Sequence, residues 1–335
     1  MSRNRFIPAV ALSLALVSLG AACGGDDGAD VRNIGDECEG SASSGSGASG
    51  SGASGSGASA SGSASGCPSG SGSASASRIA SEVEGSASDN PLVQDAVVAY
   101  TAYVAEQVDV TIAATTTFTD AVRAGDVEAA KAAYAPSRQG WERIEPIAGL
   151  VEELDGAMDA RVDDFEGVDD PAFTGWHRLE YILWELGTAE GAGEFADKLD
   201  GDLQTLKAEL AGIDIPPAAL AVGSSELIEE VSTGKITGEE DRYSGTDLWD
   251  FAANVEGSQK AFELLVPALQ EADPELVTTI EGQFAELDGQ LAAYAEGDGY
   301  KPYDALTDAD KTAMQTTLAE LSESLSTMAG VLGLE

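Results

Sequence analysis

The chain has 335 residues, with 17 Lys and Arg set against 59 Asp and Glu, a formal charge of −42. Such a surface repels nucleic-acid phosphates and anionic lipid head groups and attracts cations, so DNA or RNA binding is disfavoured. Hydrophobic residues make up 43% and aromatics only 6%, with heavy use of Gly, Ala and Ser, so a core is affordable but the composition is not uniform along the chain.

Residues 1–22 read as a secretory signal. Arg3 and Arg5 form a positive start, and Ile7 to Leu19 form an apolar run too short for a comfortable membrane span. The run ends in Leu19-Gly20-Ala21-Ala22-Cys23, which resembles a bacterial lipobox except that Gly20 stands where Leu is usual. Cys23 is therefore expected to carry a lipid and become the new N-terminus, and Gly and Asp residues follow at once. The alternative is ordinary cleavage after Ala22, leaving Cys23 as a free thiol. The expected location is the cell envelope, on the outer face of the cytoplasmic membrane or in the periplasm, with membrane attachment through the lipid alone. Residues 23–88 then read as a linker, with Ala-Ser-Gly-Ser-Gly units from Ser41 to Ser77. About 65 residues of such coil span roughly 45 Å root-mean-square. Cys38 and Cys67 both lie there; an exported compartment permits a disulfide between them, and no thiolate metal spacing is present.

Residues 89–335 have a different character and predict an all-α domain. Val93, Val97, Tyr100, Val104, Val108 and Ile112 recur at three- and four-residue steps, an amphipathic helix that begins after Asp89-Asn90-Pro91. Further helices are expected near Val127–Leu154, Phe173–Leu186, Phe195–Leu210, Pro217–Val231, Leu248–Glu271, Glu275–Ala295 and Asp308–Leu332. Breaks fall where Gly and Pro cluster, at residues 187–193, 212–217 and 297–302, and no alternating strand is found.

His177 is the single histidine of the chain, in Thr174-Gly175-Trp176-His177-Arg178-Leu179-Glu180. On a helix His177 and Glu180 share a face, a spacing that lets two side chains converge on one metal ion. A His so placed is more often a surface or satisfied core residue. Glu142 and Glu145 form a second such pair in Trp141-Glu142-Arg143-Ile144-Glu145-Pro146. Pro146 cannot donate to the preceding turn, so the helix is expected to bend there with carbonyls less well paired. Between the pairs lies Leu154-Asp155-Gly156-Ala157-Met158-Asp159, whose plain reading is a hydrated loop.

Trp141 to Ala148 is similar to the "ERIEP" segment of the EfeO/EfeM family, and Gly175-Trp176-His177-Arg178-Leu179-Glu180 matches the G-x-H-x-x-E signature of its imelysin-like domain. Thr237 to Tyr243, Thr246 to Phe251 and Gly299 to Tyr303 resemble its later segments, so the resemblance runs from about Asn90 to the C-terminus. It implies two helical bundles with a cleft between them and a role in bacterial iron uptake. It also implies the metal-facing side chains: Glu142, Glu145, Asp159, His177, Glu180 and Glu240. Family members often have a His where this chain has Gly245, so a second imidazole is missing and Asp247 is only an outlying member of the set. The Ser/Gly tether stands where full-length EfeO has a cupredoxin-like domain, which makes EfeM the nearer comparison.

An oxygen-rich site with one imidazole suits Fe(III) or Fe(II), and Ca(II), Mn(II), Zn(II) or Cu(II) would also be accepted. The implied action is capture without catalysis, followed by delivery to a membrane permease, with a haem peroxidase as a possible companion. The competing readings are a metallopeptidase and a non-catalytic surface-binding module. A zinc peptidase of the H-E-x-x-H type needs two histidines, and this chain has one.

Overall fold

The computed structural model describes residues 87–334. The expected signal, Cys23, Cys38 and Cys67 lie outside the described residues. Among the described residues ten α-helices follow one another: α1 (Pro91–Ala124), α2 (Val127–Glu142), α3 (Glu152–Met158), α4 (Gly175–Trp184), α5 (Gly193–Leu210), α6 (Pro217–Thr233), α7 (Asp247–Ala272), α8 (Pro274–Ala292), α9 (Asp308–Ser326) and α10 (Met328–Leu332). The domain is all-α, as the periodicity predicts. The one departure among the described residues is a two-residue antiparallel pair, Ala295–Glu296 with Gly299–Tyr300. Gly and Asp between these segments close a turn too short to register as alternation.

Helix α1 shows how local chemistry sets an element. Asn90 accepts the amide hydrogen bond of Leu92 at 2.9 Å, Pro91 occupies the first turn, and Gly125 at φ 74° ends the helix by donating to the carbonyls of Ala121 and Val122. Its buried stripe is Val93, Tyr100, Val104, Val108, Phe118 and Val122. Each of the large apolar side chains so buried contributes about 1.5–3 kcal/mol relative to exposure.

The stripe packs on α2 and α5, and α2 also meets α4. A second set is formed by α6, α7, α8 and α9, and α7 packs against both sets. The 26-residue α7 is accordingly buried over most of its N-terminal half, including the polar Asp247, Asp250 and Asn254. The expected stretch Val127–Leu154 is not one helix. It stops at Glu142, passes through a 3-10 segment at Glu145–Leu150 and restarts at Glu152, because Pro146 has no N–H to offer the Glu142 carbonyl.

That break is held rather than loose. The side-chain amide of Asn254 donates to the carbonyl oxygen of Glu142 at 3.0 Å, replacing the hydrogen bond that Pro146 cannot make. Gly223 of α6 and Gly257 of α7 approach the same stretch so closely that a Cβ would overlap the carbonyl oxygens of Pro146 and Arg143 respectively. Two helices thus grip the backbone that carries Glu142 and Glu145.

Candidate metal centre

One face of α2 supplies the floor of the centre. Tyr134, Arg138, Trp141 and Glu142 follow at helical steps and all are buried. Arg138 is wholly buried and lies at the middle of an ionic network. It meets Glu142 at 2.5 Å, Glu240 at 2.9 Å, Asp250 at 3.0 Å and Asp241 at 3.7 Å, and it also pairs with Asp159. A buried guanidinium with its donors in a fixed fork suits this many carboxylates better than an ammonium would.

Asp159 follows α3 directly, and the start of α4 is pressed against the same turn. Gly175, at φ 78°, sits where a Cβ would overlap the Met158 carbonyl, and the Thr174 hydroxyl donates to the Ala157 carbonyl at 2.8 Å. This contact sets His177 beside Asp159. The Trp141 indole N–H fixes the other carboxylate oxygen of Asp159 at 3.0 Å.

His177 and Glu180 do face the same way. Nδ1 of His177 lies 3.3 Å from Glu180, while Nε2 points at Asp159, 3.5 Å away, and Glu240, 3.7 Å away. At those distances Nε2 makes charge contacts and no hydrogen bond, so a buried nitrogen faces two carboxylates without an ordinary partner. The second oxygen of Glu180 accepts the backbone N–H groups of Tyr243 and Ser244 at 2.9 and 2.7 Å, which anchors the 240–247 loop. The Tyr134 hydroxyl donates to Asp241 at 2.8 Å, and the Asp241 backbone N–H donates to Asp247 at 3.2 Å.

The six residues named from the sequence therefore share one region. Three overlapping groups can each offer donor atoms within 4.8 Å of one another: Asp159, His177 and Glu240; His177, Glu180 and Asp241; and Glu142, Glu145 and Asp159. Asp247 lies behind Asp241 and joins none of these groups. Gly245 adopts φ 68°, with open space where a side chain would stand.

Lys235 was not legible as part of this centre. It lies in a 3-10 turn, Lys235–Thr237, and its ammonium reaches Glu145 at 2.8 Å, Glu142 at 3.0 Å and Glu240 at 3.6 Å. Asn254 adds hydrogen bonds to Glu142 at 2.9 Å and Glu145 at 2.5 Å. Arg161 reaches the outer oxygen of Glu240 at 3.0 Å. Of the partners that sequence reasoning missed, only Arg138 and Tyr134 left a trace, four and eight residues before Glu142 on one helix face. Nothing local marks Lys235 or Asn254.

The electrostatics follow from this crowding. Burial opposes ionisation of Glu240, but Lys235, His177, Arg161 and Arg138 outweigh it and hold its carboxyl well below the usual range. Burial and the charge of Glu142 push Glu145 well above that range despite Lys235. Burial drives Asp250 up as well, against the pull of Arg138, and burial with Asp241 carries Asp247 to about 7. For His177, burial and Arg138 pull down; the contacts with Glu180, Glu240 and Asp159 win and carry it up to about 9. At neutral pH the protonated ring must therefore give up a proton before its nitrogen can bind a metal ion.

A cavity of about 270 Å³ opens beside the centre, between α6 and the stretch from Glu145 to Phe165. Glu145, Asp159, Lys235 and Glu240 border it from the inside, and Asp155 and Glu230 stand farther along its wall. A cluster of buried carboxylates and one imidazole at the end of an acidic cavity offers a set of mostly oxygen donors, the chemistry that suits a hard cation.

Comparison with known sequences agrees with the fold. The profile of the imelysin family, peptidase M75, matches residues 96–328, and the chain belongs to that family. The chain is 50% identical over 241 residues to the iron uptake system component EfeO of Escherichia coli O157:H7, and 49% identical over the same length to the EfeO proteins of Escherichia coli K12 and Shigella flexneri. These alignments cover 72% of this chain and 64% of each relative, so the chain spans a little less than two thirds of the length of the curated relatives it matches.

Proposed function

We propose that this chain is the non-catalytic, iron-capturing component of an Efe-type uptake system, holding the ion among Glu142, Glu145, Asp159, His177, Glu180 and Glu240 and passing it to a membrane permease. The observation that carries the reading is the buried His177 Nε2, which faces Asp159 and Glu240 without a hydrogen-bond partner. A cation between these three would satisfy the nitrogen and relieve the repulsion of the acids. The relatives' name, iron uptake system component, supports iron as the cargo. Among the described residues no helix is long and apolar enough to cross a membrane, and attachment through a lipid on Cys23 would keep the protein beside its permease. A haem peroxidase is a further expected partner.

The family's peptidase title suggests a second reading. A two-histidine zinc site cannot be assembled from one histidine, and His177 is surrounded by carboxylates that suit holding an ion.

The test is titration of metal-free protein with Fe(II) under anaerobic conditions and with Fe(III), together with the variant His177→Ala/Glu180→Gln. Gln keeps an acceptor for the Tyr243 and Ser244 amides, so circular dichroism should show an intact fold while iron affinity falls about 100-fold or more, as loss of ligands implies. Equal affinity before and after the change removes these residues from the site. Peptide hydrolysis lost in the same variant would instead establish the enzyme.

A further inference from the structure

Two of the cations that serve the carboxylates of the centre, Arg138 and Lys235, are wholly or almost wholly buried, and they are not equivalent. Arg138 projects from the interior of α2, is wholly buried, and has acidic partners on several sides. Its charge cannot be removed, and it is not among the residues that line the cavity. Lys235 projects from a three-residue turn bounded by Gly234 and Gly238, ends among Glu142, Glu145 and Glu240, and borders the cavity. Its ammonium stands inside a ring of three carboxylates, the position a bound cation would favour on charge alone. Glu230, on the cavity wall, is a further acid acting on the same ammonium. Lys235 and Glu230 line the same cavity, so a flexible four-carbon stem has a further acid to turn towards there.

We infer that Lys235 is a displaceable internal counter-ion: its ammonium holds Glu142, Glu145 and Glu240 together in the metal-free protein and swings into the cavity towards Glu230 when a cation is captured. The inference rests on the cation-capture reading above and adds its regulation. Two positive charges cannot share that ring at close range without strong repulsion in a partly desolvated site. Capture must then be a competition, and the ion's affinity is lowered by the work of moving the lysine. Return of the same ammonium assists release, which suits a protein that must hand its cargo on. Such competition depends on the differential affinity of one site for two cations and needs no large movement of the helices.

Full-length protein purified without metal, and its Lys235→Met and Lys235→Arg variants, are titrated with Fe(II) in the absence of oxygen. Lys235→Met should bind at least about tenfold more tightly than the wild type, since one repelling charge is gone, and Lys235→Arg should not. In parallel, lysines of the wild-type protein are acetylated with acetic anhydride, with and without saturating Fe(II), and modification is read by mass spectrometry. Acetylation of Lys235, which is 3% exposed in the structure, should rise several-fold with Fe(II), while surface Lys301 stays constant. This measurement needs no variant and decides the matter if Lys235→Met fails to fold. Equal or weaker binding by a folded Lys235→Met, or unchanged acetylation of Lys235, overturns the inference and leaves the capture reading standing. No Fe(II) binding by the wild type overturns both.

Discussion

Around His177 the acids Glu180 and Asp241 are enclosed by α2, α4 and the 240–247 loop and are held by backbone amides and the Tyr134 and Thr246 hydroxyls, and of this group only Asp159 reaches the cavity. Around Lys235, Glu145 is only partly buried and the cavity begins immediately. The sealed half is organised by a guanidinium that cannot leave, the open half by an ammonium that can. The contrast separates two tasks that a carboxylate site imposes on a protein: surviving without its cation, and accepting the cation when it comes. Buried acids left unpaired are costly, so the sealed half needs a permanent partner. A partner that was permanent on both sides would exclude the ligand.

Breaking the sealed half should have the largest effect. Arg138→Met leaves Glu142, Asp159, Glu240 and Asp250 without their common cation and should cost about 3–5 kcal/mol of stability, the range for an orphaned buried charge. Urea denaturation of the metal-free protein measures it. Lys235→Met should cost less, because water from the cavity can solvate Glu145; equal costs would abolish the distinction between the halves.

A pH series sharpens the same contrast. Burial and Arg138 oppose protonation of His177, but Glu180, Glu240 and Asp159 raise its folded pKa from 6.5 to about 9. A raised His pKa gives stability that is fully present below pH 6.5 and lost as pH rises through about 9, on the order of 3 kcal/mol for a shift of this size. Asp155, raised from 3.8 to about 8 by burial and by Asp159, works in the same direction, since its neutral form is favoured in the fold. Thermal melts of metal-free protein from pH 6 to pH 10 should therefore fall steadily. The fall should shrink in His177→Gln, and a flat profile in the wild type would show that the imidazole is not held by the acids.

The grip on the Glu142–Glu145 backbone offers a smaller effect. Gly257→Ala forces a methyl group against the Arg143 carbonyl and should destabilise by about 1–3 kcal/mol, weakening cation binding as Glu142 and Glu145 shift. Gly282→Ala on α8, where a Cβ meets nothing, should instead stabilise by about 0.5–1 kcal/mol. Guanidinium melts of the two variants compare them directly; similar signs would mean that the close approach is not what holds the segment.

The smallest effect is expected outside the centre. Arg143 turns away from Glu142 and pairs with the exposed Glu256 at 2.7 Å. A pair of this kind contributes about 0–1 kcal/mol, so Arg143→Ala should leave chemical denaturation almost unchanged. A larger loss would extend the buried network beyond Glu145.

Much of the architecture can be read directly from residue order. The stripe from Val93 to Ile112, the Asn90-Pro91 start and the Gly-rich breaks specify helices through local physics: side-chain periodicity, capping and the missing N–H of proline. The paired spacings of Glu142 with Glu145 and His177 with Glu180 are equally local, and the family resemblance supplied their companions Asp159 and Glu240. Pro146 announced a bend after Glu142, although not that the chain would run on as a 3-10 segment before α3. What only the tertiary structure decided is how the acids are kept together. Lys235 and Asn254 lie 93 and 112 positions beyond Glu142 in sequence, yet both meet it. Electrostatic and hydrogen-bond partners act through space over a few ångströms, so their identity depends on which helices pack face to face and leaves no spacing to find. The same holds for Gly223 and Gly257, whose lack of a side chain matters only because another backbone passes where the Cβ would be.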